Sequence, residues 1–138
     1  MSDRDALYAA VLAAPADDLP RLLYADWCDD HGEPDRAEFI RVQCELARLP
    51  AADARWGPLV DRVGELLTPD NHARWRIPES GLVQHFRRGF VESVYTNAGR
   101  FLQLGDELFR LAPVRELRLS LVDDFLQQLC QVDRKSVV

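Results

Sequence analysis

Apolar side chains recur every three or four residues through the first half of the chain, a spacing that places them on one face of an α-helix. Between residues 17 and 31 the predicted apolar face consists of Leu19, Leu22, Leu23, Trp27, Tyr24 and Cys28. Gly32 can adopt the left-handed conformation that ends a helix, and Pro34 prevents simple continuation. The pattern therefore predicts a helix that ends near residue 31.

A second amphipathic helix is predicted directly after this turn. Asp35, followed three residues later by Glu38, resembles a capping box at its start. Its apolar positions form two neighbouring stripes, Ala37, Ile40, Cys44 and Ala47, and Phe39, Val42, Leu46 and Leu49. Because the connection between the two helices is short, we expect them to pack as an αα-hairpin.

Shorter helical segments surround this pair. Ser2 with Asp5 is expected to open a first helix, which Pro15 ends. A further helix is predicted from about Trp56, and a short one is predicted around Trp75.

The pattern changes to strands after residue 81. Leu82–Phe86 and Gly89–Thr96 are rich in β-branched and aromatic residues, so a β-hairpin is predicted with its turn at residues 87–89. Asn97 can then cap a helix that extends to Leu111.

A strand is predicted after this helix. Val114, Leu117 and Leu119 resemble the Leu-x-x-Leu-x-Leu strand of a leucine-rich repeat. The next two positions of that repeat are occupied by Val122 and Asp124, which depart from its pattern.

These patterns predict an α+β protein. Residues 1–80 are expected to form an N-terminal helical bundle. Residues 81–132 are expected to form a short β-hairpin and a strand–helix unit that resembles the start of a leucine-rich-repeat array. The last helix of this unit is predicted over residues 123–131.

The last six residues differ in character from the rest. Residues 133–138 contain the only lysine of the chain, beside sixteen arginines in total, and they resemble a translated sequencing adapter. We therefore expect residues 133–138 to be a non-native tail and the natural chain to continue past about Val132, so that this sequence is truncated.

Two stretches, Pro20–Trp27 and His31–Gln43, resemble the bacterial repeat-companion domain family, and the likeness is close over about residues 5–49. Phe86–Glu92 and Leu108–Leu119 are similar to segments that follow in that family. Its members are uncharacterised proteins that often carry this region beside leucine-rich repeats. The resemblance implies repeats and partner binding, and it carries over no catalytic residue.

Charge is distributed unevenly along the chain. Residues 1–50 hold five arginines and eleven acidic residues, whereas residues 51–138 hold twelve basic and twelve acidic residues. The acidic helical half is expected to repel nucleic acid and anionic membrane surfaces.

Composition also indicates the cellular compartment expected for the protein. The sequence has no basic-then-apolar leader and no apolar run of about 18 residues, which disfavours a signal peptide and a membrane span. The three cysteines are an odd number without metal-type spacing. This pattern favours a reduced, cytoplasmic protein.

An acidic cluster lies at the end of the first helix of the predicted hairpin. Asp26, Asp29, Asp30, His31 and Glu33 are residue types that bind metals or act as acids and bases, so the cluster allows a metal-dependent hydrolase. The interpretation that we prefer is a solvated helix end.

Within that cluster, Asp26 is expected to be a structural ion-pair partner. It lies between Leu23 and Trp27, partly on the apolar side, where a carboxylate needs a partner. Arg36 or Arg41, across the turn, is the predicted partner.

Basic and aromatic residues are concentrated between positions 72 and 88. They are Arg74, Arg76, Arg87, Arg88, His72, His85 and Trp75. Such residues contact phosphates and stack on bases at nucleic-acid interfaces. Because the chain as a whole is not basic, a nucleic-acid partner is not expected.

The sequence carries no phosphate-binding loop, serine elbow or zinc pattern. Cys28 and Cys44 lie on apolar stripes, so we expect small core residues rather than nucleophiles.

We therefore expect a non-catalytic protein-interaction or scaffold module with an unknown protein partner and with no cofactor or metal. The alternatives are a metal-dependent hydrolase that uses the Asp26–Glu33 cluster and a nucleic-acid binder that uses Arg74–Arg88. The residues expected to have structural roles are Trp27, Asp26, Arg36, Arg41, Tyr24, Phe39, Ile40 and Gly32.

Overall fold

Helices form the N-terminal part of the chain, and three strands lie in the C-terminal part. The computed structural model describes residues 2–121. In chain order its elements are α1 (Asp3–Ala13), α2 (Asp18–Asp30), α3 (Pro34–Arg48), α4 (Trp56–Leu66), α5 (Pro69–Trp75), β1 (Val83–Arg87), β2 (Phe90–Asn97), α6 (Ala98–Leu104), α7 (Glu107–Leu111) and β3 (Glu116–Ser120). This is the α+β class that the sequence predicts.

The turn between α2 and α3 forms as its sequence predicts. Gly32 has a φ of 78°, which an L side chain rarely adopts, and the Glu33 amide donates to the Cys28 carbonyl at 2.8 Å. The predicted capping box at Asp35 is wrong. The N-cap of α3 is Glu33, two residues earlier, with Pro34 as the first helical residue, and no side chain caps the helix.

The predicted apolar face of α2 is wrong at Leu19 and Leu23, whereas Tyr24 and Cys28 are buried and Leu22 and Trp27 pack against the buried hydrophobic core. Leu19 is 66% exposed and Leu23 is exposed, although both were expected to face the core. The buried residues of the helix are Arg21, Tyr24, Ala25 and Cys28. These four positions have the same helical spacing, but the stripe includes an arginine, and pattern reasoning treats arginine as an outward residue.

The β-hairpin forms with a two-residue turn. β1 and β2 pair antiparallel, with Arg87 opposite Phe90, and the turn residues Arg88 and Gly89 have φ angles of 50° and 86°. Positive φ at both positions is the requirement of a type I′ turn. A Cβ at Gly89 would lie 2.5 Å from the Ile40 side chain, so glycine allows the hairpin to approach α3 closely.

The third strand completes a mixed sheet of order β1-β2-β3, in which β3 runs parallel to β2. The connection contains two helices rather than the single predicted one. The Asn97 side chain caps α6 by accepting from the Arg100 amide at 2.7 Å, as expected. Gly105, with a φ of 55°, then ends α6 and separates it from α7.

Two hydrophobic clusters lie side by side in the molecule. The helical cluster consists of Val11, Tyr24, Ala25, Cys28, Ala37, Ile40, Cys44 and Phe90. Trp27 packs against the margin of this cluster and is partly buried. The second cluster joins the sheet to α7 and consists of Ile77, Val91, Val94, Leu108 and Ala112.

A buried ion-pair network, which we call the Glu92 network, fixes the hairpin to the helices. Arg21 Nη1 lies 2.9 Å from Glu92 Oε2, and Arg88 Nε lies 3.0 Å from the same oxygen. Arg21 also donates to the carbonyls of Pro15 and Arg87, at 2.7 and 2.9 Å. Since buried charges need such partners, the network explains why Arg21 can occupy the inner face of α2.

The division of the chain at residue 80 stays a prediction, although Phe90 of β2 packs inside the helical cluster. The helix predicted over residues 123–131 and the tail predicted at residues 133–138 lie outside the described residues.

Candidate anion-binding pocket

The acidic cluster at the end of α2 is a set of surface ion pairs. The Asp26 side chain is 66% exposed, so its predicted partial burial is wrong. Of the two predicted partners, Arg41 is the one that pairs with it, at 2.7 Å. Arg41 also contacts Asp29 at 2.5 Å, and Glu33 lies 3.3 Å from Arg4. Within residues 2–121, no group of three or more metal-ligating side chains is arranged to hold a metal.

The basic cluster predicted between residues 72 and 88 is divided among three places. Arg88 is buried in the Glu92 network. Arg87 and His85 line an open groove across the sheet. Arg74, Trp75 and Arg76 instead line a cavity among the helices, described below. The continuous basic surface that a nucleic-acid binder needs is therefore not formed by these residues.

The two cysteines of the helices are core residues, as predicted. Cys28 and Cys44 are fully buried. Burial raises the pKa of each thiol to about 11, because a thiolate would lose its hydration. Both thiols are therefore protonated at neutral pH and poor nucleophiles. Cys130 lies outside the described residues.

Arg36 is the unusual residue of the helical half. It lies four residues before Ile40 on the inner stripe of α3, and it is only 7% exposed. Its guanidinium carbon lies 5.1 Å from the centre of the Trp75 ring and 4.8 Å from that of Phe90. These cation–π contacts use the faces of the rings, so they supply no acceptor for the N–H groups of Arg36.

The guanidinium of Arg36 lacks the partners that a buried cation normally has. Nη1 is buried without a hydrogen-bond partner, and no described carboxylate lies within 4 Å of the group. Desolvation by burial lowers its pKa from 12.5 to about 10, so it still carries its charge at neutral pH. The fold therefore holds a buried positive charge without a direct ion-pair or hydrogen-bond partner among the described residues.

This charge borders a cavity of about 370 Å³ between α1, α2, α3, α5 and α7, which we call the arginine pocket. Its described lining residues are Arg4, Asp5, Tyr8, Ala9, Leu12, Tyr24, Arg36, Arg74, Trp75, Arg76 and Leu111. Such a volume is typical of small-molecule sites. Arg36 also borders a smaller cavity of about 130 Å³, beside Glu33 and Asp35.

The other charged groups of the arginine pocket are partly engaged. Arg4 donates to the Tyr24 hydroxyl at 3.1 Å and pairs with Glu33. Arg74 donates to the Asn71 side chain. Asp5, the one carboxylate among the described lining residues, accepts from the Ser2 amide at 3.4 Å as part of the cap of α1. The pocket is therefore electropositive, with Arg36 the most deeply buried of its cations.

Two tyrosines complete the wall as neutral hydroxyls. Burial raises the pKa of Tyr8 to about 12, and it also raises the pKa of Tyr24. The Tyr8 hydroxyl donates to the Leu111 carbonyl and so connects α1 to α7. The Tyr24 hydroxyl accepts from Arg4, which leaves its own proton available to a ligand.

Sequence reasoning identified parts of this pocket but assigned them elsewhere. It named Arg36 as a partner of Asp26, and it placed Arg74, Trp75 and Arg76 in a nucleic-acid surface. The available signal was the position of Arg36, since it shares a helical stripe with Ile40. The residues from α1, Arg4 and Tyr8, were missed, because no local pattern connects them with residues 36 or 75.

Comparisons with protein-family models, with curated proteins and with solved structures found no match to this chain. Among residues 2–121, the helices are too short or too polar to cross a membrane.

Proposed function

We propose that this protein is a non-catalytic interaction module that recognises an anionic group on its partner in the arginine pocket. The observation that carries the proposal is Arg36, a buried guanidinium at neutral pH without a carboxylate or hydrogen-bond partner among the described residues. Burying an uncompensated charge is costly, and an anionic ligand would supply the missing partner.

The composition of the pocket supports binding rather than bond chemistry. Its tyrosines are neutral at physiological pH, because burial raises the pKa of each. Arginines do not act as bases in proteins, and the Asp5 carboxylate already serves the cap of α1. Arginine is well suited to holding carboxylates and phosphates, since its planar N–H fork matches their oxygens.

Titration with inorganic phosphate tests the proposal. Trp75 lies 5.1 Å from the guanidinium carbon, so its fluorescence should change as the anion binds, and calorimetry gives an independent measure. We expect saturable binding that Arg36→Met weakens at least tenfold. Arg62→Met is the matched control, because Arg62 pairs with Glu38 on the surface and lies outside the pocket lining.

A second variant protects the test against effects on folding. Arg76 is an exposed lining residue that belongs to neither hydrophobic cluster, so its substitution is not expected to affect folding. Arg76→Gln should weaken phosphate binding severalfold with unchanged unfolding. Equal binding by the Arg36 and Arg62 variants would overturn the proposal, and so would the absence of saturable binding both of inorganic phosphate and of simple aromatic phosphates and sulfonates.

The strand β3 favours a second way of binding proteins. Within residues 2–121 it is an edge strand, paired on one side with β2, and Leu121 directly after it is 81% exposed. We propose that this edge pairs with further repeat-like units, as the resemblance to repeat-companion proteins implies. Light scattering of the 138-residue chain tests this. Self-association supports the proposal, and a monomer of 15.7 kDa contradicts it.

A further inference from the structure

We infer that the anion recognised by the arginine pocket is a doubly charged phosphate monoester attached to an aromatic ring. The inference rests on the proposed anion-binding function and adds the chemical class of the ligand. Three features of the pocket support it: its excess of positive charge, the free donors of Arg36, and the apolar wall beside them.

The charge of the pocket matches a dianion. Four arginines line it, Arg4, Arg36, Arg74 and Arg76, against the single lining carboxylate of Asp5. Glu33 offsets one further charge through its pair with Arg4, at 3.3 Å. Among the lining residues and their described ion-pair partners, two positive charges remain, which a carboxylate or sulfonate would only half neutralise and which a phosphate monoester near pH 7 neutralises in full.

The donor geometry also fits a phosphoryl group. The side chain of Arg36 is held between Trp75 and Phe90 by its contacts with both rings. A guanidinium fixed in this way presents a planar N–H fork of defined direction, which favours paired hydrogen bonds to two oxygens of one anion. The Tyr24 hydroxyl proton can reach a further oxygen, because that hydroxyl already accepts from Arg4.

The remaining wall of the pocket is apolar and aromatic. Leu12, Leu111 and the rings of Tyr8 and Trp75 share the lining with the arginines. A volume of about 370 Å³ is larger than a bare phosphate requires, so the ligand has a body as well as a charged end. A flat ring suits this wall, since aromatic pairs attract one another beyond the effect of simple area burial.

An aryl phosphate can be supplied by a small molecule or by a phosphorylated tyrosine of a partner protein. Phenyl phosphate and a short phosphotyrosine peptide distinguish the two sources. Binding of both with higher affinity for the peptide assigns the ligand to a protein. Equal or weaker binding of the peptide assigns it to a small molecule. Both results retain the aryl phosphate chemistry.

The decisive comparison uses phenyl phosphate, benzenesulfonate and inorganic phosphate on the full chain at pH 7.5. We expect phenyl phosphate to bind at least tenfold more tightly than either of the others. Benzenesulfonate has the same ring with one charge, and inorganic phosphate has the charge without the ring. Arg36→Met should remove the preference for phenyl phosphate, and Arg62→Met should preserve it.

The pH dependence gives a second readout. The second pKa of a phosphate monoester is about 6, so lowering the pH to 5 should weaken phenyl phosphate binding about tenfold. Benzenesulfonate keeps its charge in this range. A change in its affinity therefore measures the effect of protonating the carboxylates near the pocket, Asp5, Glu33 and Asp35. The described lining includes no histidine.

The outcomes separate this inference from the proposed function. If none of the three probes binds saturably, the anion-binding function itself fails. If benzenesulfonate binds as tightly as phenyl phosphate, or if both lose affinity equally at pH 5, the pocket binds anions without selecting a dianion. That result overturns the inference and leaves the proposed function standing.

Discussion

Arg36→Met should leave the protein as stable as the natural sequence or more stable, although it removes a large buried side chain. The charged guanidinium is desolvated without a described partner, and its pKa falls from 12.5 to about 10. One pH unit of pKa corresponds to about 1.4 kcal/mol, so the charge disfavours the folded state by about 3 kcal/mol at neutral pH.

The loss of two cation–π contacts opposes this gain. Arg36 loses its cation–π contacts with Trp75 and Phe90, each worth about 0.5–2 kcal/mol. Methionine replaces part of that loss, because a thioether sulfur on an aromatic ring contributes about 0.3–1.5 kcal/mol. Mid-range values of these contributions increase the free energy of unfolding by about 1 kcal/mol, and their extremes run from a loss of about 1 kcal/mol to a gain of about 3.5 kcal/mol.

Arg21→Met is the matched control, because Arg21 is also a buried arginine, at 0% exposure, but one with partners. Its guanidinium pairs with Glu92 at 2.9 Å and donates to the Pro15 carbonyl at 2.7 Å. Removal of one member of a buried ion pair costs about 3–5 kcal/mol. The same substitution should thus have opposite effects at the two positions.

Urea unfolding followed by circular dichroism measures both variants, with the slope against urea as a check that the unfolded states are alike.

The sign of the pH dependence follows from the lowered pKa. The destabilisation by charged Arg36 is complete below about pH 10 and is lost as the pH rises toward 12.5. The stability difference between Arg36→Met and the natural chain should therefore be constant from pH 6 to pH 8. A loss of more than about 1 kcal/mol in Arg36→Met would refute the view that this charge is uncompensated.

Three further predictions concern other parts of the molecule. Asp26→Ala should change the free energy of unfolding by no more than about 0.5 kcal/mol in urea melts, because the ion pair that it removes is exposed. Gly89→Ala should lower the free energy of unfolding by about 2–5 kcal/mol, because its φ is +86° and the new Cβ would lie 2.6 Å from the backbone of α3. Gly64→Ala is the control, since a Cβ there meets open space, and it should not lower the free energy of unfolding. The thiols of Cys28 and Cys44 should resist a disulfide reagent at pH 7.5 in the folded chain and react in urea, with the third cysteine replaced by serine.

Local sequence signals predicted the elements of the fold well. Gly32 and Gly89 could be placed at their turns because each turn has its own backbone requirement, and Asn97 is a cap that its neighbours alone make recognisable. Local signals failed after Asn97, where one helix was predicted and the structure has two, α6 and α7. Gly105 lies inside the single helix predicted up to Leu111, and in the structure it ends α6.

Errors in the prediction came from polar residues whose partners are distant in sequence. Leu19 and Leu23 were wrongly placed on the inner face of α2 because the apolar pattern does not indicate that Arg21 is buried, and its partner Glu92 lies 71 residues away. Asp26 was expected inside for the complementary reason, since its neighbours Leu23 and Trp27 were expected to be buried. Side-chain periodicity indicates which residues are apolar, but it does not indicate which charged residues form ion pairs in the folded protein.

The arginine pocket could not be derived from the sequence, because it brings together charged residues that are distant along the chain. The contrast between its central cation, Arg36, and Arg21 bears on function. Arg21 and Arg36 are both buried, yet Arg21 is surrounded by acceptors while Arg36 is surrounded by rings. A protein selected for stability alone is expected to carry an apolar residue of similar size in place of Arg36, because desolvation of the charge is expected to cost more than its cation–π contacts return. A buried charge that lowers stability is expected where a ligand supplies its missing partner. The free energy of binding that ligand then offsets the cost of desolvating the guanidinium.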